Sequence, residues 1–226
     1  MTIRTLLEHI SIWIILVPLF TGSWLIKKLS RDSFIVLVLV IVATPPQLLT
    51  AFFRLDVATL NIFYNVYTPC EFLVLFILFK KKFLSRKNNR AFIVSSFIYV
   101  AASLYFIFSY NLTTFVSLWT AVNNIIYICW VLMYVAEVFF FDEEKISSGF
   151  PFTYFMLGIF FYSQCSVLLF VLYYYIGQSY ILGNTWIIQS ISNIIMYLLF
   201  AAGFIVDARS KSPKFITRDK RFACIA

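Results

Sequence analysis

Seven long apolar runs leave this chain little choice of architecture. They extend from Leu7 to Ile26, Phe34 to Phe53, Val57 to Phe79, Ala91 to Phe108, Thr114 to Phe141, Phe152 to Ile176 and Trp186 to Val206. A helix needs roughly 20 apolar residues to cross about 30 Å of hydrocarbon. Runs of this length, without ten-residue alternation, predict helices rather than barrel strands, because a backbone in lipid must satisfy its own hydrogen bonds. The chain is 62% hydrophobic and only 12% charged, where a soluble domain carries roughly a quarter charged residues. Lipid, not water, is its main solvent. The predicted fold class is an all-α polytopic membrane protein, one seven-helix transmembrane bundle over residues 1–226 with a basic tail from about residue 207.

The charges orient the bundle. Lys27, Lys28, Arg31, Lys80, Lys81, Lys82, Arg86, Lys87, Arg90, Lys145, Arg209, Lys211, Lys214, Arg218, Lys220 and Arg221 all fall in the first, third and fifth loops or the tail. That is 16 of the 18 basic residues, with only Arg4 and Arg54 on the other side. Basic residues near helix ends stay cytoplasmic, so the expected topology has the N-terminus outside and the C-terminus in the cytoplasm of a multi-pass cell-membrane protein. The net charge of +8 therefore reports topology and predicts no nucleic-acid partner. Phe215 and Phe222 among the tail's basic residues suit anionic headgroups, at about 1 kcal/mol per basic residue, although topogenic charge explains the tail equally well. The first run has Arg4 before it, Lys27 and Lys28 after it and no small-residue cleavage site, which predicts a retained helix rather than a signal peptide.

Residue supply argues against several chemistries. Cys70, Cys129 and Cys165 lie inside apolar runs and Cys224 in the tail, without CxxC spacing, so packing is expected of them rather than zinc or redox work. The single histidine, His9, sits at the outer end of the first run. It cannot supply a multi-histidine zinc site or, from there, a Ser-His-acid triad. The seventh run has no lysine for a retinal Schiff base, and there is no glycine-rich phosphate loop. No cofactor is expected.

Polar side chains are costly in lipid and are cheapest facing the bundle interior. At 100° per residue, Asn61, Tyr64, Asn65, Thr68 and Glu71 of the third run fall within about 120° of one another. Thr120, Asn123, Asn124 and Tyr127 form a second stripe, and Trp186, Gln189, Ser190, Asn193 and Tyr197 a third. Gln47 and Gln164 add one amide each from the second and sixth runs. Such residues either bond helices together, at about 0.6 kcal/mol each on average, or line a ligand cavity. Both roles stay open from sequence.

Glu71 is the sharpest candidate. It lies deep in its run, with no intramembrane Lys or Arg to pair with, so a protonated, hydrogen-bonded acid is the expectation. Its role is either a proton-linked switch or carrier site, or a neutral strut. Glu137 stands nearer the rim, beside Asp142, Glu143 and Glu144, and is expected at the interface. Thr44-Pro45-Pro46-Gln47 removes two backbone donors from the second run and predicts a kinked or opened helix.

The segment Tyr64-Asn65-Val66-Tyr67-Thr68-Pro69-Cys70-Glu71-Phe72 resembles a Tyr-Thr-Pro-x-Glu-Phe pattern in uncharacterised small seven-helix membrane proteins of Bacteroidota. The aromatic sixth run from Phe160 to Tyr175 and the spaced amides of the seventh are similar as well. The resemblance implies a bacterial inner membrane and supports Glu71 as a feature, but it implies no activity. The sequence as a whole predicts a non-enzymatic sensor or receptor-like bundle that binds a small or lipidic ligand and signals through a membrane partner. A small, proton-coupled transporter is the alternative. A lipid-acting enzyme comes third, since Glu71, tyrosines and amides make a poor catalytic set.

Overall fold

The apolar runs become helices in the computed structural model, which describes residues 3–52, 56–83, 85–111, 113–114, 116–141, 150–176 and 185–210. In chain order they are α1 (Ile3–Trp13), α2 (Leu16–Leu25), α3 (Arg31–Phe52), α4 (Val57–Phe79), α5 (Arg86–Ser109), α6 (Ser117–Phe141), α7 (Phe150–Ile176) and α8 (Thr185–Ser210). No strand occurs among the described residues. With α1 and α2 taken as one span, seven helices among these residues are long and apolar enough to cross a membrane. The protein is a multi-pass, seven-helix membrane bundle. Arg54, Asp142, Glu143, Glu144, Lys145, the tail from Lys211 to Cys224 and the side chain of Trp186 lie outside what is described.

Proline acts differently in the first two spans. Pro18 has no N–H to give the Ile14 carbonyl, and Val17 N takes that acceptor instead at 3.0 Å, so the helix tightens and breaks between α1 and α2. The opened helix expected at Pro45-Pro46 does not form, because α3 is continuous through both prolines. Thr44 Oγ1 donates to the Val40 carbonyl at 2.7 Å, one of the local adjustments that keep proline inside membrane helices.

Close packing on one side of the bundle depends on glycine. Helix α7 lies between α6 and α8, and α8 also meets α2. A Cβ at Gly203 of α8 would stand 2.5 Å from the Phe155 ring of α7, and one at Gly158 of α7 would stand 2.9 Å from Phe200 of α8. Small residues at these positions let the backbones approach. On the other side, Phe72, Tyr99, Phe92 and Trp130 join α4, α5 and α6. The rings of Phe72 and Tyr99 stack at 3.6 Å, and Trp130 Nε1 donates to Ser95 Oγ at 2.8 Å. Exposed side chains of α5 such as Ile93, Val94, Phe97, Ile98 and Leu104 are apolar and suit a lipid-facing surface.

At the basic end, acidic side chains bind the starts of neighbouring helices, whose first N–H groups have no partner within the helix. Asp207 of α8 accepts from Ser30 N, just before α3, at 2.5 Å. Glu137 of α6 accepts from Ser85 N and, at 3.2 Å, from Asn88 Nδ2, and α5 starts five residues before the apolar run that predicted it. Glu137 is thus a buried cap, 4% exposed, rather than a solvated rim charge. Lys82, counted above as a loop charge, pairs with Asp32 and lies 4.2 Å over the Phe152 ring.

Candidate functional site

Helix α4 begins where Asp56 accepts from Thr59 N at 3.2 Å, a side-chain cap that fixes its first turn. Glu71 lies about four turns along at 3.6 residues per turn, deep in the span from Val57 to Phe79. Thr68 Oγ1 donates to the Tyr64 carbonyl at 2.9 Å just before Pro69, which has no N–H to extend the helical ladder. One turn before Glu71, the Tyr67 hydroxyl donates to Glu71 Oε1 at 3.0 Å. This is the i, i+4 spacing at which helix side chains meet.

Glu71 opens onto a small cavity of about 20 Å³ where α3, α4, α6, α7 and α8 come together. Tyr67 and Leu75 share the α4 wall, Tyr127 comes from α6, Tyr162 and Ser163 from α7, and Tyr197 and Phe200 from α8. The α3 wall is apolar, formed by Leu39, Val40 and Ala43. The volume accommodates about one water-sized sphere. Among the described residues Glu71 is the sole acidic one on this wall, and no Lys, Arg or His joins it. No group of three or more His, Cys, Asp or Glu residues suited to a metal comes together among the described residues.

Two of the cavity tyrosines lead in different directions. Tyr197 donates to Gln47 Oε1 at 2.8 Å, and Gln47 Nε2 donates to the Ser11 carbonyl at 2.8 Å. That bridge ties α8 to α3 and α1. Tyr127 is 1% exposed, and the fully buried Ser163 has a hydroxyl with no partner among the described residues. Behind Tyr127 on the same face of α6, Asn123 is fully buried and its side chain meets the Tyr127 hydroxyl.

The polar residues singled out from sequence divide between site and scaffold. Glu71 lines the cavity, and Gln47 is one bond removed from it through Tyr197. Asn61 and Asn65 donate to the carbonyls of Thr113 and Thr114 at 2.8 and 3.0 Å, so they fasten α4 to the segment before α6. Gln189 Nε2 donates to Ser166 Oγ at 3.0 Å and joins α8 to α7. Asn124 Nδ2 bonds the Thr120 carbonyl of its own helix at 2.8 Å. Tyr64 and Gln164 are exposed, and Asn193 is partly exposed and off the cavity. Gln164 follows Ser163 directly, and a one-residue step of 100° turns it away from the wall that Ser163 forms.

Tyr67, Tyr162 and Ser163 were not singled out from sequence. Tyr67 was legible from its i, i+4 spacing to Glu71. Tyr162 is hidden in the aromatic run of α7, where nothing local separates a cavity tyrosine from a packing one. No protein-family model, curated protein or solved structure matches this chain.

Proposed function

We propose that this protein is a proton-linked membrane switch of the sensor type, in which protonation of Glu71 selects between helix arrangements that a membrane partner reads. One observation carries this reading. Among the described residues a single carboxylic acid stands on a cavity shared by five helices, with hydroxyl-bearing residues from α4, α6, α7 and α8 around it. Ionising an acid in such a place is costly unless donors turn toward it. The hydroxyls of Tyr67, Tyr127, Tyr162, Tyr197 and Ser163 are the groups able to turn. Because each belongs to a packed helix, their reorientation moves helices and not only side chains.

The cavity volume narrows the ligand expected from sequence. About 20 Å³ suits a proton, a water or a single ion, not a lipid chain. The resemblance of the segment from Tyr67 to Phe72 to small Bacteroidota membrane proteins supports the same centre, since it pairs Tyr67 with Glu71. An N-terminus outside, a cytoplasmic tail and a bacterial inner membrane complete the proposal.

Infrared difference spectra of the protein in lipid nanodiscs test it. As the pH rises, a protonated-carboxyl carbonyl band is expected to disappear, accompanied by changes in tyrosine ring bands, and Glu71→Gln abolishes both changes. Spectra of wild type and Glu71→Gln that change identically with pH would overturn the proposal. The second reading is a proton-coupled transporter, favoured by the Tyr197–Gln47–Ser11 bridge, which links a cavity tyrosine to α3 and α1. Proton-driven solute uptake into liposomes that is lost in Glu71→Gln would establish it instead.

A further inference from the structure

The outward face of α2 changes character along its length. Gly22 packs inward, where a Cβ would stand 2.6 Å from Leu37 of α3 and 3.1 Å from Phe204 of α8. At about 100° per residue, Val17, Phe20 and Trp24 share the opposite face within about 60° of one another. All three are exposed, Phe20 at 68% and Trp24 at 88%. One turn beyond Trp24, the 3₁₀ turn Ile26–Lys28 carries Lys27 and Lys28, both exposed. The face therefore runs from aliphatic to aromatic to cationic over about three turns.

Packing gathers two further cations at the same corner. Leu29 is extended, and Ser30 N donates to Asp207 of α8 at 2.5 Å, so the end of α8 is fixed at the start of α3. Lys27, Lys28, Arg31 and Arg209 all stand within three residues of that bond, and all are exposed. The acids of the corner are already engaged, Asp207 by Ser30 N and Asp32 by Lys82. None of the four cations has an ion-pair partner among the described residues. Their charge has to be balanced from outside the bundle.

We propose that this corner seats an anionic phospholipid, with an acyl chain along Phe20, Trp24 at the headgroup boundary and the phosphate group among the four cations. Each part of the lipid meets the chemistry it requires. Acyl chains pack on apolar side chains, indole rings favour the level of the headgroups, and clustered Lys and Arg at the end of a span attract anionic lipids. A zwitterionic lipid would satisfy Trp24 and leave the net charge of the cluster unbalanced. An acidic protein segment would meet the cations and leave the aromatic face that leads to them without a role, which favours lipid. The seat is separate from the Glu71 cavity and depends on nothing proposed there.

Contact quenching in liposomes tests the proposal. The full chain is reconstituted in mixed phosphatidylglycerol and phosphatidylcholine, with brominated acyl chains carried by one lipid or the other at equal mole fraction. The chain has five tryptophans, so the Trp24 share of the fluorescence is read as the difference between wild type and Trp24→Phe. Brominated phosphatidylglycerol is expected to quench that share more than brominated phosphatidylcholine does, and raised salt to weaken the preference. Each basic residue is worth about fivefold in affinity for an anionic surface, so Lys27→Gln with Lys28→Gln is expected to lower the preference by at least about fivefold. Lys80→Gln with Lys81→Gln removes the same charge from the exposed end of α4 and is expected to leave it unchanged. Equal quenching by the two lipids overturns the proposal and leaves the cations to an acidic protein partner or to topology alone. A preference lost equally in the Lys80 and Lys81 double variant also overturns it, because the attraction would then belong to the whole basic end and not to this corner.

Discussion

Tyr197 and Gln47 are 150 residues apart in sequence and 2.8 Å apart in space, with the tyrosine hydroxyl donating to the amide oxygen. The amide passes the connection on to the Ser11 carbonyl, so α1, α3 and α8 share one hydrogen-bonded crossing.

Breaking that crossing is expected to cost more than a single bond. Gln47→Leu leaves the buried Tyr197 hydroxyl and the Ser11 carbonyl unpaired, a loss of about 1–3 kcal/mol. Interhelical bonds in membranes average about 0.6 kcal/mol in double-mutant cycles. A cycle pairing Gln47→Leu with Tyr197→Phe, followed by unfolding in bicelles, is therefore expected to give a coupling of about that size. Additive single mutants would refute the bridge.

Glu137 holds the start of α5 from a neighbouring helix. Glu137→Ala is expected to destabilise the bundle by about 1–3 kcal/mol and to speed amide hydrogen exchange in the turn after Ser85. Exchange in α4 should stay as it is. Uniform acceleration through all helices would mean that the cap has no local role.

Acid should loosen the start of α4. Asp56 lies before the span, and the hydrogen bonds from the Thr59 side chain and backbone hold its carboxyl below the usual carboxylate range. A lowered folded-state pKa means that the cap's contribution is complete above the unfolded value of about 3.9 and is lost as pH falls through the lower folded value. Protection of the Thr59 amide against exchange, relative to its intrinsic rate, is expected to fall over that acid range, and in Asp56→Ala that protection should be low and unchanged across it.

Gly203 should not accept even a methyl group. The Cβ of Gly203→Ala would meet the Phe155 ring at 2.5 Å, and overpacking of this kind costs about 1–3 kcal/mol. Pairing it with Phe155→Leu is expected to recover part of the loss in a thermal unfolding assay. No recovery would place the strain elsewhere.

The Tyr67 bond should be visible in the acid it touches. Tyr67→Phe is expected to shift the protonated Glu71 carbonyl band to higher frequency, because a hydrogen bond to a carbonyl oxygen weakens the C=O bond. An unmoved band would separate the two residues.

The sequence by itself determined the bundle. Continuous apolar runs in lipid have one way to satisfy their backbone, so the number of spans, their approximate ends and the segregation of basic residues to one end followed directly. It also marked Glu71, because an acid so deep in an apolar run stands out in any context. Tertiary structure decided which polar residues belong with it. Asn61, Asn65 and Gln189 occupy inward stripes like those of Tyr127 and Tyr197, yet they end on loop carbonyls or on Ser166, because helical periodicity fixes a direction around one axis and says nothing of what stands opposite. Glu137 read as an interfacial acid and Lys82 as a loop charge for the same reason, until packing brought Ser85 and Asp32 to meet them. The cavity depends on how five separate helices approach, and that distance is set by side chains far apart in the chain, Gly158 and Gly203 among them.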